Sequence, residues 1–128
     1  SGLMLHYFKD LKPVIKETSR ILKPEGLFVF SMNHPTGECT KKLGDDRREL
    51  LPYFHNEKFE WEMLPGMKLI NYHHTFEHIS LALHHAGFVI ERIIEPEPIK
   101  KYKFIKPKAY ERTIHYPSFV VIVARKVK

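Results

Sequence analysis

The chain has 128 residues, 43% of them hydrophobic and 28% charged, which suits one globular domain and excludes disordered, collagenous and disulfide-scaffold classes. Its one cysteine, Cys39, excludes an internal disulfide and fits a reducing compartment. The formal net charge of +6 keeps polyanions in view as partners, although the cations fall into scattered clusters: Lys41-Lys42, Arg47-Arg48, residues 100–108 and residues 125–128.

Arg47 and Arg48 follow Asp45 and Asp46, so a solvated basic surface accounts for the charge better than a nucleic-acid stripe. No apolar run reaches the roughly 20 residues of a membrane-spanning helix. The opening residues lack the basic-then-apolar order of a secretory signal. The expectation is a soluble, cytoplasmic protein without a membrane partner.

In chain order, Asp10 is placed to cap a helix, and Pro13 sits in its first turn, where a missing N–H costs little. Leu11, Val14, Ile15, Thr18, Ile21 and Leu22 recur at helical spacing and predict one buried stripe. Pro24-Glu25-Gly26 ends that helix and turns the chain. Residues 27–32 are nearly continuous apolar and predict a central strand covered on both faces.

Residues 36–68 lose this pattern, and Phe54, Phe59 and Trp61 are the aromatic anchors of an irregular stretch with one short strand at 58–63. A long insertion of this kind reads as an ordered lid at about 36–74. Thr75 then caps a second helix with the stripe Phe76, Ile79, Leu83 and Ala86, closed by Gly87. Residues 88–94 predict a second strand. Pro107 opens a short helix to Ile114, and residues 118–124 predict a third strand.

Several short motifs follow one another along this frame. They are Leu5-His6-Tyr7 with Asp10-Leu11, Leu22-Lys23-Pro24-Glu25-Gly26, Phe28-Val29-Phe30-Ser31, Asn33-His34-Pro35, Asn71-Tyr72-His73-His74-Thr75, Ala86-Gly87-Phe88, Glu95-Pro96-Glu97-Pro98 and Tyr116-Pro117-Ser118-Phe119. In this order they resemble the carboxyl-terminal half of a class I S-adenosylmethionine-dependent methyltransferase of the methyltransferase type 11 group.

The resemblance implies a partial Rossmann-like α/β sheet, an incomplete doubly wound fold. Residues 1–6 would match the exit of the family's fourth strand, 27–32 its fifth, 88–94 its sixth and 118–124 its seventh. The seventh would run antiparallel between the fifth and sixth. It also implies S-adenosylmethionine as cofactor, with Leu3 and His6 on its side, and a small-molecule acceptor contacted by Asn33, His34, Tyr72 and His73.

His34 follows strand five directly and is the candidate proton acceptor, a task that suits neutral histidine near pH 7; the alternative is a loop histidine that satisfies local backbone groups. Structural hydrogen bonding is likewise the alternative for His73. Nine histidines raise a metal reading, but Thr75 stands where a His-Glu-x-x-His pattern needs its glutamate, and no metal site is expected.

The family's Gly-x-Gly-x-Gly turn is absent. The chain therefore reads as a family fragment, whether an expressed portion, a truncated product or a half that needs a partner. Alone it should bind cofactor poorly, and its open edge at 27–32 invites a homodimer or a complementing chain. The competing reading is a non-catalytic methyltransferase-like module that pairs with another chain.

Overall fold

The computed structural model describes residues 1–43, 47–54 and 57–128. Asp10 holds an extended backbone and its carboxylate accepts the Lys12 N–H at 3.0 Å, which starts α1 (Leu11–Ile21). Leu11 and Ile15 are buried on one face, with Val14 and Leu22 packed beside them. Ile21 departs from the expected stripe and is 66% exposed, because it lies at the stripe's margin and the backbone turns extended at Leu22. In the turn that follows, Glu25 rather than a glycine takes the left-handed backbone (φ 64°), and its N–H donates to the Lys126 carbonyl at 3.0 Å.

The main sheet has the order β1 (Leu27–Asn33), β7 (Phe119–Lys126), β6 (Phe88–Ile94), with β7 antiparallel to both neighbours. This is the arrangement of strands five, seven and six that the motifs implied. Between β1 and β6 stands α2 (Phe76–His85), capped by Thr75 Oγ1, which accepts the His78 N–H at 3.2 Å. Gly87 ends it with φ 82°, and its N–H donates to the His84 carbonyl.

Strand alternation puts Phe28, Phe30 and Met32 of β1 on the same face as their partners Ala124, Ile122 and Val120 of β7. These side chains, with Ile79 and Leu83 of α2 and Leu11 and Ile15 of α1, form the core.

The opposite face is open, contrary to the expectation of a strand covered on both sides. Leu27 and Val29 are each 46% exposed, and Phe119 and Val89 are exposed as well. The apolar run in 27–32 therefore belongs to an edge strand packed on one face, not to a central strand covered on both. The outer edge of β1 is partly paired: Gly2 bridges Ser31 in parallel, Ser31 N–H donates to the Ser1 carbonyl at 2.9 Å, and Leu3 N–H donates to the Ser31 carbonyl at 3.0 Å.

Between β1 and α2 the chain is more regular than its sequence suggested. It forms two antiparallel hairpins, β2 (Thr40–Leu43) with β3 (Arg47–Leu50), and β4 (Lys58–Leu64) with β5 (Met67–Tyr72). Of the three expected anchors, Phe59 packs its ring edge-on to His73 and Trp61 donates its indole N–H to Asn71 Oδ1 at 3.1 Å, whereas Phe54 is 79% exposed. Beyond β6 lie a short α3 (Tyr102–Ile105) and α4 (Pro107–His115), which return the chain to β7. No helix among the described residues is long and apolar enough to cross a membrane.

Candidate functional site

Because β7 is antiparallel to both neighbours, β1 and β6 run parallel and their carboxyl ends emerge on the same side of the sheet. That crevice is where open α/β sheets hold their ligands. His34 follows β1 and Glu95 follows β6, and the two meet: His34 Nε2 lies 2.6 Å from Glu95 Oε1.

The bonds of His34 fix its tautomer. Nδ1 accepts the N–H of Thr36 at 3.1 Å and of Gly37 at 3.3 Å, so it carries a lone pair. The ring proton is then on Nε2 and is donated to Glu95. The His34 N–H donates to the Ser118 carbonyl at 3.0 Å, and the ring of Phe76 meets the imidazole edge-on. With its side chain 4% exposed and both nitrogens engaged, His34 is a rigid holder of a carboxylate that is itself 60% exposed. The loop-histidine alternative describes its backbone bonds, and of the pair it is Glu95 that is open to solvent at this end of the sheet.

A second buried pair lies beside it. Glu38, one turn after His34, has its Oε1 2.6 Å from His73 Nδ1, with side-chain exposures of 8% and 2%. His73 Nε2 donates to the Tyr53 carbonyl at 2.7 Å, since a carbonyl only accepts. Glu38 Oε2 is buried and has no hydrogen-bond partner among the described residues. Burial pushes the Glu38 carboxyl above its usual range, and His73 foremost, with Asn33 and His34, pulls it part of the way back. Tyr53 also accepts the Phe76 N–H through its hydroxyl at 3.0 Å, which ties the segment between the hairpins to the start of α2.

The structure thus brings together His34, His73 and Asn33 of the residues that the sequence singled out. Tyr72 ends β5 half-buried opposite Lys58, and strand alternation turns it to the face opposite Asn71. Leu3 lies at the edge of β1 and is 41% exposed. His6 points inward instead: it is 3% exposed, and its Nδ1 accepts the Asn33 N–H at 3.3 Å. The sequence reading missed Glu38, Tyr53 and Glu95; Glu95 stood in a quoted motif but only as the end of a strand. Among the described residues no group of three or more His, Cys, Asp or Glu side chains converges as a metal site would require.

His6 and its neighbour His74 are both held neutral. Burial lowers each of them below the usual 6.5, and His74 further lowers His6. His74 Nε2 donates to the Phe8 carbonyl at 2.8 Å, joining the approach to α1 with the start of α2. A lowered folded-state value means that the unfolded chain binds more protons below pH 6.5, so stability is lost as pH falls from there. Melting temperature should therefore decline between pH 7 and pH 5. The variant His6→Asn, whose amide oxygen replaces Nδ1 as acceptor, should flatten that decline; a slope equal to that of the unmodified protein would refute the assignment.

No protein-family model matches this sequence, and no curated protein does. Solved structures do match it. It superposes over 100% of its length on a provisionally assigned S-adenosylmethionine-dependent methyltransferase from Listeria monocytogenes, with TM-score 0.83 and 26% identity, covering 60% of that chain. An S-adenosylmethionine-dependent methyltransferase from Mesorhizobium loti is similar over 98% of this chain and 59% of its own, at TM-score 0.77 and 27% identity. A third, from Clostridium acetobutylicum, shares the fold at TM-score 0.58 and 14% identity. The chain spans about 60% of the length of the first two, and its fold is that of a partial, carboxyl-terminal methyltransferase domain.

Proposed function

With the fold that of part of an S-adenosylmethionine-dependent methyltransferase domain as premise, we propose that this chain is the substrate side of a cytoplasmic enzyme that methylates a small-molecule acceptor. The superposition over the whole chain carries this reading. The meeting of His34 and Glu95 in the crevice beyond β1 and β6 supports it.

S-adenosylmethionine, when bound, supplies a methyl group on an electrophilic sulfonium. The residues present fit it in part. Leu3 and Met4 offer exposed apolar side chains beside the β1 edge. Asp10 is the only carboxylate among residues 1–10, and it is committed to capping α1. His6 acts indirectly, by holding the backbone of Asn33. Contacts to the cofactor's ribose and amino-acid ends would come from outside these residues, so the chain alone should bind it weakly.

In this proposal Glu95 accepts a hydrogen bond from the acceptor's nucleophilic group and takes up its proton as the nucleophile is methylated. His34 fixes the position of that carboxylate through Nε2–H, and positioning is most of what an in-line displacement asks of a protein. The hairpins at 40–72, pinned by His73 to Glu38 and Tyr53, act as the lid over the acceptor.

In the complete protein, supplied with a small-molecule extract as acceptor source, Glu95→Gln should slow formation of S-adenosylhomocysteine by about 10²–10⁴-fold while leaving cofactor affinity unchanged. An unchanged rate would remove Glu95 from the reaction.

The open apolar face favours a second reading, a module that pairs with another chain. Leu27, Val29, Val89 and Phe119 are exposed apolar side chains on one face of the sheet, the kind of surface that a partner covers. A monodisperse, stable monomer in ultracentrifugation would count against it.

A further inference from the structure

The positive charge of this protein is concentrated where α3 and α4 meet. Residues 99–116 hold six lysines and arginines and one acid, a net +5 out of the +6 of the whole chain. There an open groove of about 900 Å³ runs along α4 and is lined by Lys103 of α3 with Lys106, Lys108, Arg112, Tyr110 and Tyr116, among others.

Lys108 and Arg112 stand at i and i+4 on α4, a like-charge pair that weakens an isolated helix. Lys103, Lys106 and Arg112 have no ion-pair partner among the described residues, and Glu111, also in the lining, is spent on His115 at 3.7 Å. Between the charges the wall is apolar, made by Pro107, Ala109 and the rings of Tyr110 and Tyr116. Cations on an apolar concave wall of this volume fit a small ligand that carries an anionic group on an apolar body.

We propose that the α3–α4 groove binds a small organic anion, one bearing a phosphate or carboxylate on an aromatic or apolar body. The short extent of the groove selects this ligand over a polymer, because its cations lie on two short helices instead of tracking along an extended surface. The groove also adjoins the crevice. Tyr116 leads directly into Pro117, which packs against Gly37, and into Ser118, whose carbonyl accepts the His34 N–H. An anion seated there lies beside the loop that carries His34, yet its binding is measured without any methyl transfer.

The test is a ¹H–¹⁵N NMR titration of the chain with phenyl phosphate at low ionic strength. Shifts confined to residues 103–118, and an affinity reduced at least about tenfold in Lys106→Glu/Arg112→Glu, are the expected result. Should the double variant fail to fold by circular dichroism, Lys103→Glu, an exposed position on the other wall, carries the same expectation.

Absence of shifts at millimolar phenyl phosphate, or equal affinity in the folded variants, overturns the proposal. So does tighter binding through the same residues of a thymidine oligonucleotide, or of phosphatidylserine vesicles, with the steeper salt dependence of a polyanion.

Discussion

Replacing Gly37 by alanine is expected to lower the melting temperature by several degrees and to release His34 from its fixed orientation. A Cβ on Gly37 would lie 1.6 Å from the Pro117 carbonyl oxygen and 2.7 Å from its carbon, both backbone atoms. No side-chain rotation relieves that overlap, so the two segments must part. Overpacking of this kind costs roughly 1–3 kcal/mol or more.

The backbone that moves is the one that sets the histidine tautomer, since the Thr36 and Gly37 N–H groups both bond His34 Nδ1. Loss of these two donors releases the ring, and the imidazole resonances of His34 should shift away from their positions in the unmodified protein. Gly2→Ala is the matched control, because nothing lies within 4 Å of its Cβ position, and it should leave melting unchanged. A Gly37→Ala protein with unaltered melting temperature and unaltered His34 resonances would show that the close approach does not set the site.

The sequence revealed the elements that local chemistry decides alone. Asp10 and Thr75 start helices, Gly87 stops one, and the strands at β1, β6 and β7 fall within two residues of their expected bounds. Hairpins β2–β3 and β4–β5 were less visible, because a hairpin standing out from the core does not need apolar alternation: Trp61, Met63, Leu64, Met67 and Ile70 are all exposed.

The site followed the same division. His34 was marked by its place after a strand. Glu95 and Glu38 were not, because their roles come from contacts 61 and 35 residues apart in the chain, which no spacing rule reports. The covered face of β1 was overestimated for a related reason. Hydrophobicity records that residues 27–32 favour burial, and does not report that Leu27 and Val29 stand on an unpacked face.

The second large effect concerns the buried pair below the hairpins, where two substitutions should act in opposite directions. His73→Ala removes the close hydrogen bond that holds Glu38 Oε1 and takes the Nε2–H donor from the Tyr53 carbonyl. Breaking a buried pair in this way costs about 3–5 kcal/mol. Glu38→Gln should instead be neutral or stabilising near pH 8. Its amide N–H donates to the lone pair on His73 Nδ1, Nε2–H keeps the Tyr53 carbonyl, and no charge remains to be desolvated.

The pH dependence separates the two accounts of Glu38. Burial raises its folded value above the usual 4.5, so its contribution to stability is fully present below that value and is lost as pH rises through the raised one. The advantage of Glu38→Gln should therefore be absent at the acid end and grow toward pH 8, read from denaturant midpoints at several pH values. A Glu38→Gln protein less stable than the original at pH 8 would mean that an ionised Glu38 and a cationic His73 stabilise the fold as a pair. If His73→Ala does not fold at all, the glutamine variant still decides the question, because it removes only the charge and retains the bonds of His73 to residue 38 and to the Tyr53 carbonyl.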